Sequence, residues 1–396
     1  MERSCKKINI FYCCIIIVYT IAEGLYGYGF TAFMYSRGMN LAYIGVLLGM
    51  TDLFITIFDY PSGNIADKYG RKKICGIGFL IYGIGFCVFA NASNVFVFFL
   101  SCIIRALGVA LISGAPITWY LGELSKRGKL KDKDKVLPVV RGLSLLFGSV
   151  SGILATGLAD INMALPIFAG GILLIIFSFF ILFMFEDNKA DNVENVNLIS
   201  LTIKNSRTFI KDKNMRVLTA FTLFKSVPFA IFIVSWQVFA TAEIGLAEKY
   251  LGILYTVMHL LMSLTSFIVK QLLNKINGPL ISVLGVMVSC SGFLFFALST
   301  KELVFLMGFL IYETGLGILN ASYYTWLYDF IPKNVLSSYT SALSSVDSFM
   351  SFIISLFIGG FVQAVGYSLG WLVALFFEVL AMVFLLIIVR KETKNV

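Results

Sequence analysis

The sequence predicts an all-α polytopic membrane protein, with twelve transmembrane helices in two six-helix bundles. Composition is the first reason: 59% of the 396 residues are hydrophobic and only 13% are charged, with a mean hydropathy of +0.89. A soluble chain of this length needs far more charge to cover its surface. Twelve separate apolar runs are the second reason. The third is that one half of the chain aligns with the other.

A bilayer interior of about 30 Å needs about 20 apolar residues per helix. The runs that meet this length cover residues 8–35, 41–62, 74–92, 95–121, 136–159, 162–185, 217–241, 250–273, 279–298, 303–328, 335–364 and 367–389, numbered here as spans 1–12. Ten-residue segments of alternating polarity are missing, which argues against an outer-membrane barrel. The basic start of span 1 looks like a secretory signal. The run is too long for one and no small-residue cleavage site follows, so it reads as a span. Residues 1–186 are expected to form the N-terminal bundle and residues 216–396 the C-terminal bundle. Residues 187–215 read as a cytoplasmic linker, whose amphipathic stretch 198–210 suits the membrane face.

Lysine and arginine orient the chain. They collect at Arg3, Lys6 and Lys7, in every even-numbered loop, and at Arg390, Lys391 and Lys394. The loops after spans 1, 7 and 9 carry one each (Arg37, Lys249 and Lys301), and those after spans 3, 5 and 11 carry none. Both termini are therefore expected in the cytoplasm of a cell (plasma) membrane protein. The net charge of +9 is mostly this bias, spread over short loops and tails, so nucleic-acid binding is not expected. The seven cysteines lie in or beside apolar segments without metal-ligand spacing to histidine, and read as small packing residues. No metal and no cofactor is expected.

A shift of 207 residues, from Gly38 to Gly245, lays the halves over each other without a gap from the end of span 1 to the end of span 4. Tyr43-Ile44-Gly45-Val46-Leu47 pairs with Tyr250-Leu251-Gly252-Ile253-Leu254. Gly85-Phe86 pairs with Gly292-Phe293, Gly108 with Gly315, and Thr118-Trp119 with Thr325-Trp326. A parallel repeat of six helices places a binding site near the bilayer midplane, between repeats.

The densest polar motif follows span 2: Asp59-Tyr60-Pro61-Ser62-Gly63, then Gly63-Asn64-Ile65-Ala66-Asp67-Lys68-Tyr69-Gly70-Arg71-Lys72-Lys73. The pattern G-x-x-x-D-K-x-G-R-K resembles the cytoplasmic loop between helices 2 and 3 of the major facilitator superfamily of transporters. That resemblance implies a gate built from Asp59, Gly63, Asp67, Gly70, Arg71, Lys72 and Glu123. Asp67 would meet the N-terminal end of span 11, where the helix dipole favours negative charge. Arg71 would pair with Glu123, latching the outward-open state. Lys72 and Lys73 also read as setters of topology alone. The second half has Asn274-Lys275 in place of Asp67-Lys68, so the latch is one-sided.

A charge at the bilayer centre costs roughly 3 kcal/mol on insertion scales, so each one needs a reason. Counting inward at about 1.5 Å per residue brings Asp52, Arg105, Lys225, His259, Glu313, Asp347 and Glu378 near mid-depth, with Glu23 closer to the outer side. Asp52 and His259 are equivalent under the 207 shift, and Arg105 and Glu313 miss equivalence by one residue. The repeat has thus been polarised differently on its two sides, as an asymmetric ligand requires. Arg105-Ala106-Leu107-Gly108 resembles the superfamily's R-x-x-x-G motif with its middle shortened, which implies help in proton coupling; a structural ion pair with Asp52 or Glu313 is the other reading. Glu23, Glu313 and Asp347 lie on helices that line the cavity in that superfamily, as proton carriers or as partners of Lys225 or Arg105. Lys225 reads as a substrate anchor or a counter-ion. His259, the single histidine, titrates in the physiological range or is simply a satisfied core residue. Span 12 is peripheral in that architecture, so Glu378 reads as structural. Tyr26, Trp236, Tyr323 and Tyr324 are placed for a cavity wall.

The expected function is secondary active transport by alternating access, not enzymatic catalysis. The favoured reading is proton-coupled efflux of lipophilic or cationic small molecules by a monomer in the lipid bilayer, with the small-molecule substrate and protons as its partners. Aromatic walls with a few acids suit such ligands, and no Walker sequence offers a nucleotide as energy source. The span 5 glycines Gly148, Gly152 and Gly157 resemble the superfamily's antiporter motif in part, without its Gly-Pro pair. Proton-coupled uptake of an organic anion or small metabolite, held by Arg105 and Lys225, is the alternative. A non-transporting receptor or scaffold on the same fold is the third.

Overall fold

In a bilayer the backbone finds no water, so every N–H and C=O must be satisfied inside its own segment, and apolar runs of this length become helices. The computed structural model describes residues 2–113, 115–129, 132–184, 212–331 and 336–392. It holds twelve helices long and apolar enough to cross a membrane, and no strand among the described residues. Span 1 is Glu2–Gly27, continued by the short helix Phe30–Ser36. Spans 2 and 3 are Leu41–Tyr69 and Arg71–Ala90. Span 4 is Val95–Ile112 with Ala115–Lys126 behind it, and spans 5 and 6 are Lys133–Ala159 and Ala164–Phe183. Span 7 is Lys213–Val238 and runs into a π turn, Phe239–Glu243. Spans 8–12 are Tyr250–Leu272, Gly278–Ala297, Glu302–Phe330, Leu336–Val365 and Tyr367–Glu392. The amphipathic stretch 198–210 lies outside the described residues.

Local chemistry sets the helix ends. The Asn94 side chain accepts the Val97 N–H and starts span 4, and Asp212 accepts from Asn214 and Met215 at the start of span 7. Pro279 opens span 9, where its missing N–H costs nothing. Gly38 and Gly245, the residues that anchor the repeat alignment, both take positive φ, 85° and 81°. Only glycine adopts that conformation without strain. Lys72 is buried, and its Nζ donates to Leu182 O at 3.1 Å. Leu182 lies in the last turn of span 6, where unsatisfied carbonyls carry partial negative charge.

The chain forms two compact units. The first takes the described residues of Met1–Met39, Met50–Glu194 and Ala247–His259; the second takes those of Asn40–Gly49, Asn195–Leu246 and Leu260–Val396. Inside the first, span 3 packs on spans 4 and 6, and span 1 on spans 5 and 6. Inside the second, span 9 packs on spans 10 and 12, and span 7 on spans 11 and 12. These are the same pairings, one repeat apart.

The repeat also holds at the level of single contacts. A Cβ added to Gly85 would strike Arg105, and one added to Gly292 would strike Tyr312. Gly108 faces Tyr82 as Gly315 faces Ser289. Each partner pair is 207 residues apart. The register runs further than the aligned sequence suggests: Gly252 abuts Gly152 in the first unit, and Gly45 abuts Gly359 in the second. Apolar lipid gives helices no hydrophobic reason to associate, so close approach at small residues supplies the packing.

Candidate functional site

Span 7 carries Pro228 in its interior. Proline removes one rung of the helical ladder, which a membrane helix tolerates where polar side chains or a cavity take up the freed groups. Lys225, Ser226 and Phe229, on this stretch, line a cavity of about 230 Å³ in the second unit. Tyr312 and Asn320 of span 10, Asp347 of span 11 and Glu378 of span 12 complete its chemically distinctive wall.

The charges in this cavity are held apart. Lys225 Nζ lies 5.4 Å from the centre of the Tyr323 ring, a cation–π contact. Among the described residues it has no carboxylate within 4.0 Å. Both acids bond to serines instead. The Ser226 hydroxyl lies 2.8 Å from Asp347 Oδ1 and 2.8 Å from Thr222 O. The Ser289 hydroxyl lies 2.6 Å from Glu378 Oε1 and 3.0 Å from Val286 O. A hydroxyl has one proton to give and two lone pairs to accept with. It donates to an ionised carboxylate; once the acid is protonated, it accepts from the acid and donates to the backbone carbonyl. The hydrogen bond survives in both states.

Glu313, also on span 10, is fully buried, and neither of its oxygens has a hydrogen-bond partner among the described residues. A buried polar group without a partner keeps its full desolvation cost, which the neutral acid reduces.

The first unit has a second cluster. The Tyr82 hydroxyl donates to Glu23 Oε1. Arg105 is buried and donates through Nη1 to the Tyr26 hydroxyl at 2.6 Å. Its guanidinium lies 3.8 Å from the Tyr26 ring centre and 5.5 Å from that of Phe86, and Phe86 in turn packs 4.6 Å from Tyr82. Arg105 Nε is buried without a partner, and Arg105 forms no ion pair among the described residues.

The other expected residues are more scattered. Asp52 is half-buried on span 2, and its backbone carbonyl accepts from Thr56. His259 Nδ1 lies 3.0 Å from Tyr255 O, and its ring sits 4.4 Å from the Tyr255 ring. Trp236 is buried, stacks on Phe232 and meets Phe309 at a tilt, within the aromatic packing of the second unit. Tyr323 meets Lys225, and Tyr26 meets Arg105. The side chain of Tyr324 lies outside those described, as do Gly63 and Asp67 of the gating motif. Of that motif, Asp59 is exposed and Gly70 takes a φ of 110° at the start of span 3. Arg71 Nη1 donates to Thr118 O at 3.3 Å, and Glu123 takes Arg127 and Lys126.

Glu378, expected to be structural, lines the cavity, and its serine partner was not singled out by sequence reasoning. The repeat could have found that serine: Ser289 is the equivalent of Tyr82. Among the described residues, no group of three or more His, Cys, Asp or Glu could hold a metal ion.

The family model for the Major Facilitator Superfamily matches residues 12–355. The chain belongs to the major facilitator superfamily. It is similar to Multidrug resistance protein 2 of Bacillus subtilis (strain 168), 25% identical over 184 residues, 46% of this chain and 43% of that protein. It is also similar to the uncharacterized MFS-type transporter YxaM of the same organism, 24% identical over 250 residues, 59% of each chain. Each match thus covers less than two thirds of the relative's own length. In fold, it superposes on the crystal structure of the nucleoside transporter NupG with a TM-score of 0.79 at 15% identity, over 97% of this chain and 98% of that one. For the D-xylose-proton symporter the TM-score is 0.69 at 13% identity, over 95% and 97%. This superfamily member is a multi-pass membrane protein, with twelve helices long and apolar enough to cross a bilayer among its described residues.

Proposed function

We propose that this protein is a proton-coupled secondary transporter that exports lipophilic or cationic small molecules across the cell membrane by alternating access. Both termini are cytoplasmic in this reading, and the 63–73 segment, with Arg71 and Glu123, is its gate. One observation carries the coupling. Glu23, Asp347 and Glu378, acids of the membrane interior, take their side-chain hydrogen bonds from hydroxyl groups, and Glu313 has no hydrogen-bond partner among the described residues. An arginine or lysine partner would lock a carboxylate in its charged form. A hydroxyl can bond either the charged or the neutral form, so these acids can load and unload a proton without losing their partner. A ligand or proton can bias an alternating-access equilibrium only through such state-dependent interactions. Export draws support from the name of the B. subtilis relative, a multidrug resistance protein.

Uptake of an organic anion is the second reading. It is favoured by Lys225, which faces the cavity, and by Arg105 Nε: among the described residues the first has no ion pair and the second no hydrogen-bond partner. Proteoliposomes separate the two. With the lumen acid, antiport should accumulate a lipophilic cation such as tetraphenylphosphonium above the level in protein-free vesicles, and collapse of the gradient should release it. Accumulation of an organic anion driven by external acid would instead establish uptake. Flux indifferent to the pH gradient in both formats would remove proton coupling.

A further inference from the structure

The cavity of the second unit contains an ammonium group and two carboxylates that do not pair. Lys225 Nζ rests on the Tyr323 ring, while Ser226 and Ser289 hold Asp347 and Glu378. Taking an ion out of water is costly unless a partner of opposite charge compensates it. Charges that share so small a space should collapse into an ion pair unless something holds them apart. Here the serines and the tyrosine ring do so. The cost of that separation is recovered only when a ligand supplies the complementary charges. The rest of the wall is mixed, with Phe229 and Leu316 apolar and Asn320 an amide. The volume of about 230 Å³ falls below the roughly 300–1,000 Å³ of pockets that hold drug-sized ligands.

We infer that this cavity recognises a small zwitterion of amino-acid size: its carboxylate on Lys225, its ammonium on Asp347 and Glu378, and its apolar side group on Phe229 and Leu316. The inference rests on the transport reading above and narrows its substrate class, from any lipophilic cation to compounds that carry both charges. It also explains why the wall presents features of both a cation exporter and an anion importer.

Two triplets of probes test it by thermal-shift titration of the purified protein: phenylalanine, phenethylamine and 3-phenylpropionate; and leucine, isoamylamine and 4-methylpentanoate. Within a triplet the apolar group is similar and only the charges change. A charge-assisted contact is worth about tenfold in affinity. In at least one triplet the zwitterion should therefore bind about tenfold or more tighter than both singly charged analogues. Lys225→Gln should erase the preference over the amine, and Glu378→Gln the preference over the carboxylate. An amine that binds as tightly as its zwitterion in both triplets overturns the proposal and leaves cation export standing. A carboxylate that does so overturns it in favour of anion uptake. No stabilisation by either zwitterion also overturns it. The wild-type comparison decides the matter even where a variant fails to fold. The proteoliposome flux assay separately reports whether proton coupling has failed.

Discussion

Tyr82 and Ser289 stand 207 residues apart, on equivalent turns of spans 3 and 9, and each donates a hydroxyl hydrogen bond to a membrane-embedded acid. Tyr82 serves Glu23 of span 1, and Ser289 serves Glu378 of span 12. The scaffold position has been kept while the acid has been supplied from a different helix.

Removing either hydroxyl should alter the pH dependence of transport. A hydrogen bond is worth about 1.5–3 kcal/mol to a charged group and about 0.5–1.5 kcal/mol to a neutral one, and a difference of about 1.4 kcal/mol between the two forms is one pKa unit. The pH profiles of Tyr82→Phe and Ser289→Ala should therefore move by about one unit, and Ser289→Thr should restore the wild-type profile. Profiles that stay in place would show that these acids do not carry the coupled proton.

Glu313 stores instability. Replacing a buried, unpartnered acid with an apolar residue of similar size should raise stability by about 1–3 kcal/mol. Glu313→Met should melt at a higher temperature than wild type in detergent while transporting more slowly. A lower melting temperature would reveal a partner that keeps the acid for structural reasons.

The glycine contacts separate close packing from simple helix propensity. Alanine at Gly152 would strike Thr256 and Gly252, and alanine at Gly359 would strike the Leu41 carbonyl. Overpacking of this kind costs about 1–3 kcal/mol, and because the sites are repeat equivalents the two losses should be similar. Gly157 has nothing within 4 Å of an added Cβ, so Gly157→Ala should be neutral or stabilising by up to about 1 kcal/mol. Thermal melts of the three variants check the ranking.

Lys249, between spans 7 and 8, donates to Asp160 Oδ1 at 2.9 Å. That hydrogen bond, with the carboxylate's charge, raises the lysine pKa above its ordinary value. A raised lysine contributes stability that is fully present below the unfolded-state pKa of about 10.4 and is lost as pH rises through the folded value. The melting-temperature gap between wild type and Lys249→Met should therefore be largest at pH 8, shrink above the ordinary lysine value, and fall with added salt. A gap that widens with alkali would contradict the pairing.

The helices, the repeat and the dense polar loop were legible because each depends on residue type and spacing. Positive φ at Gly38 and Gly245, and the Gly45–Gly359 and Gly152–Gly252 contacts, follow from a register that is visible in the chain. Rotation about the helix axis was not legible. In a soluble helix the polar face marks the outside, but lipid and protein interior are both apolar. Counting residues gives a position along the helix and nothing about the direction a side chain faces. It could not tell that Glu378 lines a cavity while Glu313 is sealed from solvent. Lys72 escaped for a similar reason: its sequence context marks a charged loop, and only packing shows that its ammonium ends on the Leu182 carbonyl.

The unit boundaries fall inside spans 2 and 8: Asn40–Gly49 completes the second unit, and Ala247–His259 completes the first. Each unit is thus discontinuous in sequence, and takes a short stretch from the opposite half of the chain.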